Sequence, residues 1–439
     1  MADRQRTLPS ARWPWALALA TLVAGPCAAQ LTVGSALSAQ QSIAPAFGPP
    51  LPAILPNVDQ TEISGAISET YSSNVTGVSA AYSPLRGLKP ADLITNPYIA
   101  GVVSRPLGRD TFFIQGAFGY VDYARNPVLN RSNIEVQGGA SAPFGLCQSS
   151  LTGAYTRGQA DLEELALAQL GPGAVTHVSD TVQDGNIGFT ASCGHTVGLA
   201  PTVSVSEALV NNSVQQLGDL NARVFSASGG LAYRSASHGV LSALGQYSRT
   251  DYPDRFVATP TGLKTQGLET FGGGISYVSF PFTRLQGTAS IDYQILQPVS
   301  ATGQNFYGLT YDFALAYLIT PNFSTSLGVS RQTAPSNSPY ALFVVREVYD
   351  VQVNYSLGSQ TVISAGVARR HYVYDDLVIP QIADATVITD SRIFATGERR
   401  IGRRLSVSVT LAYRQRDANF PGLSYPDFMA GISARASFQ

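Results

Sequence analysis

The sequence predicts an all-β protein: one transmembrane, up-and-down antiparallel β-barrel of about 18 strands, preceded by a signal peptide and a short Pro-rich segment. Three observations predict it. From residue 60 to the end, segments of roughly ten to fifteen residues alternate apolar and polar side chains, the period of a strand with two unlike faces. Short and long connections alternate between those segments, as in a meander with one tight end and one elaborate end. Hydrophobic residues make up 44% and charged residues only 13%, about half the usual charged share. Yet no apolar run reaches the roughly 20 residues that a spanning helix needs.

Taken in order, the chain opens with "WPWALALATLVAGPCAA" after Arg4, Arg6 and Arg12. A basic start, about a dozen apolar residues and a small-residue ending are the anatomy of a secretory signal peptide. Cleavage is expected after Ala29, with Cys27 and Ala29 at the −3 and −1 positions. An acyl anchor on Cys27 is the alternative, and Pro26 directly before it opposes that. Removing residues 1–29 takes away three Arg and one Asp, leaving a net charge of −3. Such a chain offers no basic stripe for nucleic acid. Residues 30–59 carry prolines at 45, 49, 50, 52 and 56, which favour extended polyproline over helix or sheet. They are expected to form a periplasmic linker or plug.

The barrel domain is expected over 60–439. In "YGLTYDFALAY", Tyr307, Leu309, Tyr311, Phe313, Leu315 and Tyr317 share one face, opposite Gly308, Thr310, Asp312, Ala314 and Ala316. "RRLSVSVTLAYRQR" sets Leu405, Val407, Val409, Leu411 and Tyr413 against Arg404, Ser406, Ser408, Thr410, Arg414 and Arg416. "LQGTASIDYQI" places Asp292 with Gln286, Thr288, Ser290 and Gln294 on its polar face. Turns are read at 106–110, 143–146, 193–196, 235–238, 280–283, 320–322, 357–360 and 401–404, with longer connections such as 158–176, 252–264, 334–341 and 375–387 between them. The resulting strands centre near residues 67, 98, 117, 136, 152, 186, 203, 227, 245, 273, 290, 312, 327, 350, 367, 395, 410 and 433. An even count puts both barrel ends at the short-turn rim. The pattern is weakest in the early strands and in the one near 395, where "SRIFATGERR" has no clear apolar face.

Alternation also suits a sandwich. Aromatics at both ends of the apolar sets favour a membrane barrel, and so does a texture with no domain break. The polar sets are small and uncharged at mid-strand, which suits a wet interior. Lipid offers no hydrogen bonds, so the sheet must close. "MAGISARASFQ" then becomes the closing strand, with Phe438, Ala436, Ala434 and Ile432 toward lipid and Arg435 and Ser433 toward the lumen. Phe438, in this aromatic terminal strand, is similar to the signal read by the outer-membrane assembly machinery. Cys147 begins one strand and Cys193 ends another. If those strands are neighbours, a disulfide ties the base of their hairpin; two unrelated thiols is the alternative.

No nucleotide loop, metal cluster or nucleophile elbow is present, so no catalytic residue, metal or cofactor is expected. The lumen-lining candidates are Arg370, Arg404, Arg414 and Arg416 with Asp292 and Asp312. Inward arginines favour anions in a pore; against that, Asp375, Asp376, Asp390, Glu398 and Asp417 can neutralise them, or the arginines can meet headgroups and lipopolysaccharide phosphates. "ADLEELALAQL" (160–170) is the one helical stretch, read as a surface-loop helix with an inward constriction as the alternative.

The opening strand, "ISGAISETYSSNVTG" (63–77), resembles the start of the type 2 β-barrel porin family, with Ser72 and Ser73 where that family tends to have acidic residues. The resemblance implies an outer-membrane barrel of Gram-negative bacteria associated with exopolysaccharide export, covering about Gln60 to Gln439. Two functions are compatible with the chain: a porin-like pore for solutes or polysaccharide, and a non-conducting structural or adhesive barrel. The expected partners are outer-membrane lipid, lipopolysaccharide, the assembly machinery and polysaccharide or periplasmic export components.

Overall fold

The computed structural model describes residues 59–160, 162–168, 179–195, 197–235, 237–259, 262–279, 284–299, 305–336, 341–375 and 387–438. The expected signal peptide and nearly all of the Pro-rich segment lie outside them. The first six strands are β1 (Gln60–Ser72), β2 (Asp92–Leu107), β3 (Asp110–Tyr123), β4 (Arg131–Phe144), β5 (Cys147–Gln159) and β6 (Thr181–Cys193). Then come β7 (Gly198–Asn212), β8 (Ala222–Ser235), β9 (Gly239–Thr259), β10 (Gly262–Val278), β11 (Leu285–Pro298) and β12 (Phe306–Thr320). The last six are β13 (Phe323–Pro335), β14 (Phe343–Leu357), β15 (Thr361–Asp375), β16 (Val387–Ile401), β17 (Leu405–Ala418) and β18 (Tyr425–Phe438). Among the described residues one α-helix, α1 (Leu162–Ala168), lies between β5 and β6.

All 18 strands belong to one antiparallel sheet, each paired with its neighbours in sequence. The sheet closes because β1 pairs with both β2 and β18, in register from Ile63↔Phe438 to Ser72↔Met429. Closure removes the edges that lipid would leave unpaired. At the short-turn rim the chain reverses tightly, and Gly108, Gly145, Gly358 and Gly402 take the positive φ that such turns ask for.

The wall is inverted relative to a soluble protein. Ile63, Ile67, Phe118, Ile187, Ile275, Tyr307, Ile393 and Ile432 are all more than 40% exposed on the outside. On the inside, Ser64, Ser104, Ser226, Ser242 and Thr310 are buried. In water the apolar set would be costly, at about 25 cal/mol per Å²; facing acyl chains it is at home. Strands of 13–16 residues, such as β1 and β2, measure roughly 43–53 Å at about 3.3 Å per residue. Tilted by about 40°, they still exceed an apolar band of about 25 Å. The molecule is a membrane-spanning barrel.

One expectation about the connections needs correction. The stretch 252–264 is not a long connection: β9 runs to Thr259 and β10 starts at Gly262, their ladder continuing with an irregularity between Thr265 and Gln266. This hairpin prolongs the wall beyond the band, so its side chains lose the lipid-driven alternation. The strand expected near 395 is present as β16, a regular strand even though "SRIFATGERR" shows no clear apolar face. Its ladder sets Ile393 beside Val367 and Tyr413 on the outer face, and Arg392 and Phe394 inward.

Candidate functional site

The interior is lined by small polar side chains that satisfy one another across strands. Ser150 meets Thr190 at 2.6 Å, Ser204 meets Ser228 at 2.7 Å, Thr396 meets Thr410 at 3.1 Å and Ser408 meets Ser433 at 2.8 Å. Gln115 donates to Gln137 at 2.9 Å. Paired hydroxyls and amides cost little to desolvate and leave lone pairs toward the lumen. The ladder puts Asp292 and Asp312 on this inner face, and Asp312 accepts from Gln332 at 3.1 Å.

Charge concentrates on β14 to β18. Arg370, Arg414 and Arg416 face inward; Arg404 does not. Arg404 lies in the turn between β16 and β17, exposed, with its guanidinium 5.9 Å from the ring centroid of Phe438 on the outer face. Counting alternation back from Leu405 fails there because the turn resets the parity. Arg392 was not among the lumen candidates. It faces inward beside Arg370 and Arg414, its guanidinium 5.5 Å from the Phe394 ring centroid. Its signal in the sequence is its two-residue spacing from Phe394, ambiguous until the register is known.

The densest cluster is built around Glu163 of α1, a residue with no signal in the wall pattern. Its carboxylate is buried and forms ion pairs with both Arg414 and Arg416. It also accepts from the Tyr425 hydroxyl at 2.6 Å. Arg414 in turn holds Asp390, with Nε 2.6 Å from the carboxylate. Two carboxylates thus balance two guanidiniums, the condition under which buried charge is tolerated. Burial works against the Glu163 charge, but Arg414 and Arg416 outweigh it and hold the carboxyl down at about 2.

This latch draws α1 into the barrel mouth rather than leaving it on the surface. Leu165 packs with Leu217 of the β7–β8 connection, and Ala166 packs with Val78, Ile388 and Leu423. The helix therefore bridges from the β7–β8 connection to the wall at β16–β18. The β1–β2 connection lies against it: Arg86 donates to the Leu162 carbonyl at 2.9 Å. Gly77, at φ 70°, lies so close to the helix that a Cβ would sit 3.1 Å from Glu163 Cγ, tighter than an ordinary contact. Ser72, Ser73 and the Asn74 amide all donate to Asp427 on β18, at 3.0, 3.0 and 2.9 Å. Elsewhere in the mouth, Leu342 and Phe343 pack with Tyr252, Leu268 and Leu296, and the Tyr252 hydroxyl donates to the Leu342 carbonyl at 3.3 Å.

The structure joins Cys147 and Cys193 in a disulfide between ladder partners at the short-turn rim. His371, on the outer face of β15, contacts Thr389 at 3.0 Å. Among the described residues no group of three His, Cys, Asp or Glu gathers at metal-binding distance.

No family model and no curated protein matches the sequence. Among solved structures, the chain is similar to the siderophore receptor PirA from Pseudomonas aeruginosa, at 10% identity over 87% of this chain and 81% of that one, with a TM-score of 0.40. The FrpB iron transporter from Neisseria meningitidis (F3-3 variant) is 11% identical over 82% of this chain, with a TM-score of 0.45; the match spans 63% of that protein's length. The outer membrane protein OpdK from Pseudomonas aeruginosa is 8% identical over 86% of this chain and 99% of that one, with a TM-score of 0.46.

Proposed function

We propose that the protein is a porin-like pore of the Gram-negative outer membrane, passing small hydrophilic solutes through a lumen that α1 narrows. One observation carries this: a closed 18-stranded wall with its apolar face outward and its hydroxyls, amides and charges inward. Barrels of 16–18 strands enclose an aqueous channel. The inward Arg370 on β15 and Arg392 on β16, which form no ion pair among the described residues, would raise the local concentration of anionic solutes. Beside them, the paired hydroxyls present the lone pairs that neutral sugars hydrogen-bond. That wall, with the likeness of residues 63–77 to the type 2 porins, favours a saccharide among the cargo classes, including a role in exopolysaccharide export.

Planar-bilayer recording tests the pore. Purified barrel should give discrete conductance steps, and oligosaccharide added on one side should reduce the current. Silence from both the native protein and a variant lacking residues 162–168 would defeat the pore in favour of a non-conducting barrel. Conductance indifferent to sugars would leave a pore and remove the saccharide.

A further inference from the structure

On the outer wall, near the long-connection rim, stands a row of arginines whose ordinary partners are carboxylates on the same face. Arg223 pairs with Glu207 at 2.5 Å, Arg249 with Asp251 at 3.0 Å and with Glu269 at 3.4 Å, and Arg331 with Glu347 at 3.3 Å. Arg157 on β5 and Arg369 on β15 belong to the same row, and neither has an ion pair among the described residues. An unpaired guanidinium beside acyl chains is expensive. It calls for an anion from outside the protein.

Arg369 differs from Arg157 in what lies around it. The ladder sets Tyr349, Arg369, Ser391 and Gln415 side by side on β14 to β17, with Val351, Val367, Ile393 and Tyr413 in the next row toward the short-turn rim. Tall tyrosines flank the low Ser391, and the result is an open groove of about 450 Å³ on the outer face. The tyrosine hydroxyls fix its height in the membrane. Tyr349 donates to Glu347 and Tyr413 to Gln415, both at 3.3 Å and both one row closer to the polar rim. Aromatic residues with hydroxyls aimed at water mark the membrane interface. Arg369 therefore sits at headgroup level, and the apolar rows beside it lie at acyl level.

We propose that this groove binds a phosphorylated membrane lipid, its phosphate on Arg369 and an acyl chain along Val367 and Ile393. The guanidinium supplies charge-assisted hydrogen bonds of a geometry that suits phosphate, and Ser391, its ladder partner on β16, adds a hydroxyl. The occupant is a lipid because the groove opens outward, where acyl chains are the solvent. It is phosphorylated because the cation at its head lacks a counter-charge. The site stands on the outer face and does not depend on conduction through the lumen.

The test uses the full barrel in neutral detergent and native mass spectrometry, with three probes: dioleoyl phosphatidic acid, dioleoylglycerol and inorganic phosphate. The native protein should retain phosphatidic acid and neither of the other two. Retention should fall about tenfold in Arg369→Gln, the scale of a lost hydrogen bond to a charged group. It should fall similarly in Ser391→Trp, which fills the groove and leaves Arg369 in place. Arg157→Gln, which removes an unpaired guanidinium that does not line this groove, should retain lipid as the native chain does. Equal retention of dioleoylglycerol would overturn the proposal. So would unchanged retention in Arg369→Gln, or an equal loss in Arg157→Gln. Binding of inorganic phosphate alone would reduce the groove to a bare anion contact and overturn the lipid.

Discussion

Glu163 shows how one side chain can decide the state of the mouth. Its carboxylate is the counter-charge for Arg414 and Arg416, which are themselves almost wholly buried. Removing it leaves two guanidiniums in a site built for neutrality, a loss on the order of 3–5 kcal/mol. Glu163→Gln should therefore release α1 while the wall stays folded. The readouts are protease cleavage within the β5–β6 connection and a conductance larger than that of the native protein; neither would change if the helix were held by Leu165 and Ala166 alone. The pH dependence follows from the sign of the shift. A carboxyl held near 2 in the folded protein, against about 4.3 when free, stabilises the docked helix fully above about pH 5. That stabilisation fades as pH falls through about 4 to 2. The native conductance should therefore be flat from pH 5 to pH 8. A step within that range would mean another group controls the mouth.

At the scale of elements, the β5–β6 hairpin carries a covalent tie at one rim and α1 at the other. Cys147 and Cys193 close a loop of sequence separation 46, and in the chain-entropy account such a loop contributes about 4 kcal/mol. The bond sits at the short-turn rim, so it anchors the hairpin opposite the end from which α1 departs. After digestion without reductant, the peptides carrying Cys147 and Cys193 should remain joined. The Cys147→Ser, Cys193→Ser double variant should unfold at a lower temperature, with conductance unchanged. These positions were legible in the sequence because strand phase fixes which residues share a rim. Most strand centres were legible for the same reason: lipid on one side and water on the other write a period of two into the strand. Where that contrast ends, so does legibility. The β9–β10 extension beyond the band reads as loop, and β16 hides its phase because Phe394 faces inward over Arg392. Arg404 was misplaced because a turn carries no alternation. The inward position of α1 had no sequence signature, since Glu163 finds Arg416 and Tyr425 more than 250 residues later in the chain.

At the scale of the whole molecule, closure is what makes the barrel a single cooperative object. A strand in the middle of a soluble sheet that loses one hydrogen bond can turn to water. At membrane depth no such substitute exists, and each orphaned backbone group costs several kcal/mol. The seam between β1 and β18 is the place to test this, because every other pairing joins strands adjacent in sequence and only this one brings the two ends together. Gly65 lies within it, two residues from its Phe438 end, opposite Ala436 on one side and Ile99 on the other. A Cβ added there meets only the Tyr98 carbonyl oxygen, at 3.9 Å, so Gly65→Ala should fold and insert as the native protein does. Gly65→Pro adds a ring of similar reach but removes the amide donor from a strand paired on both faces. It should abolish the compact, heat-sensitive band that a closed barrel gives in cold detergent electrophoresis and leave the protein outside the membrane fraction. If Gly65→Pro instead inserts normally, then β1 is not a structural stave and the wall must close by another pairing. If Gly65→Ala fails as well, the seam is limited by packing, and hydrogen bonding is not what holds the cylinder shut.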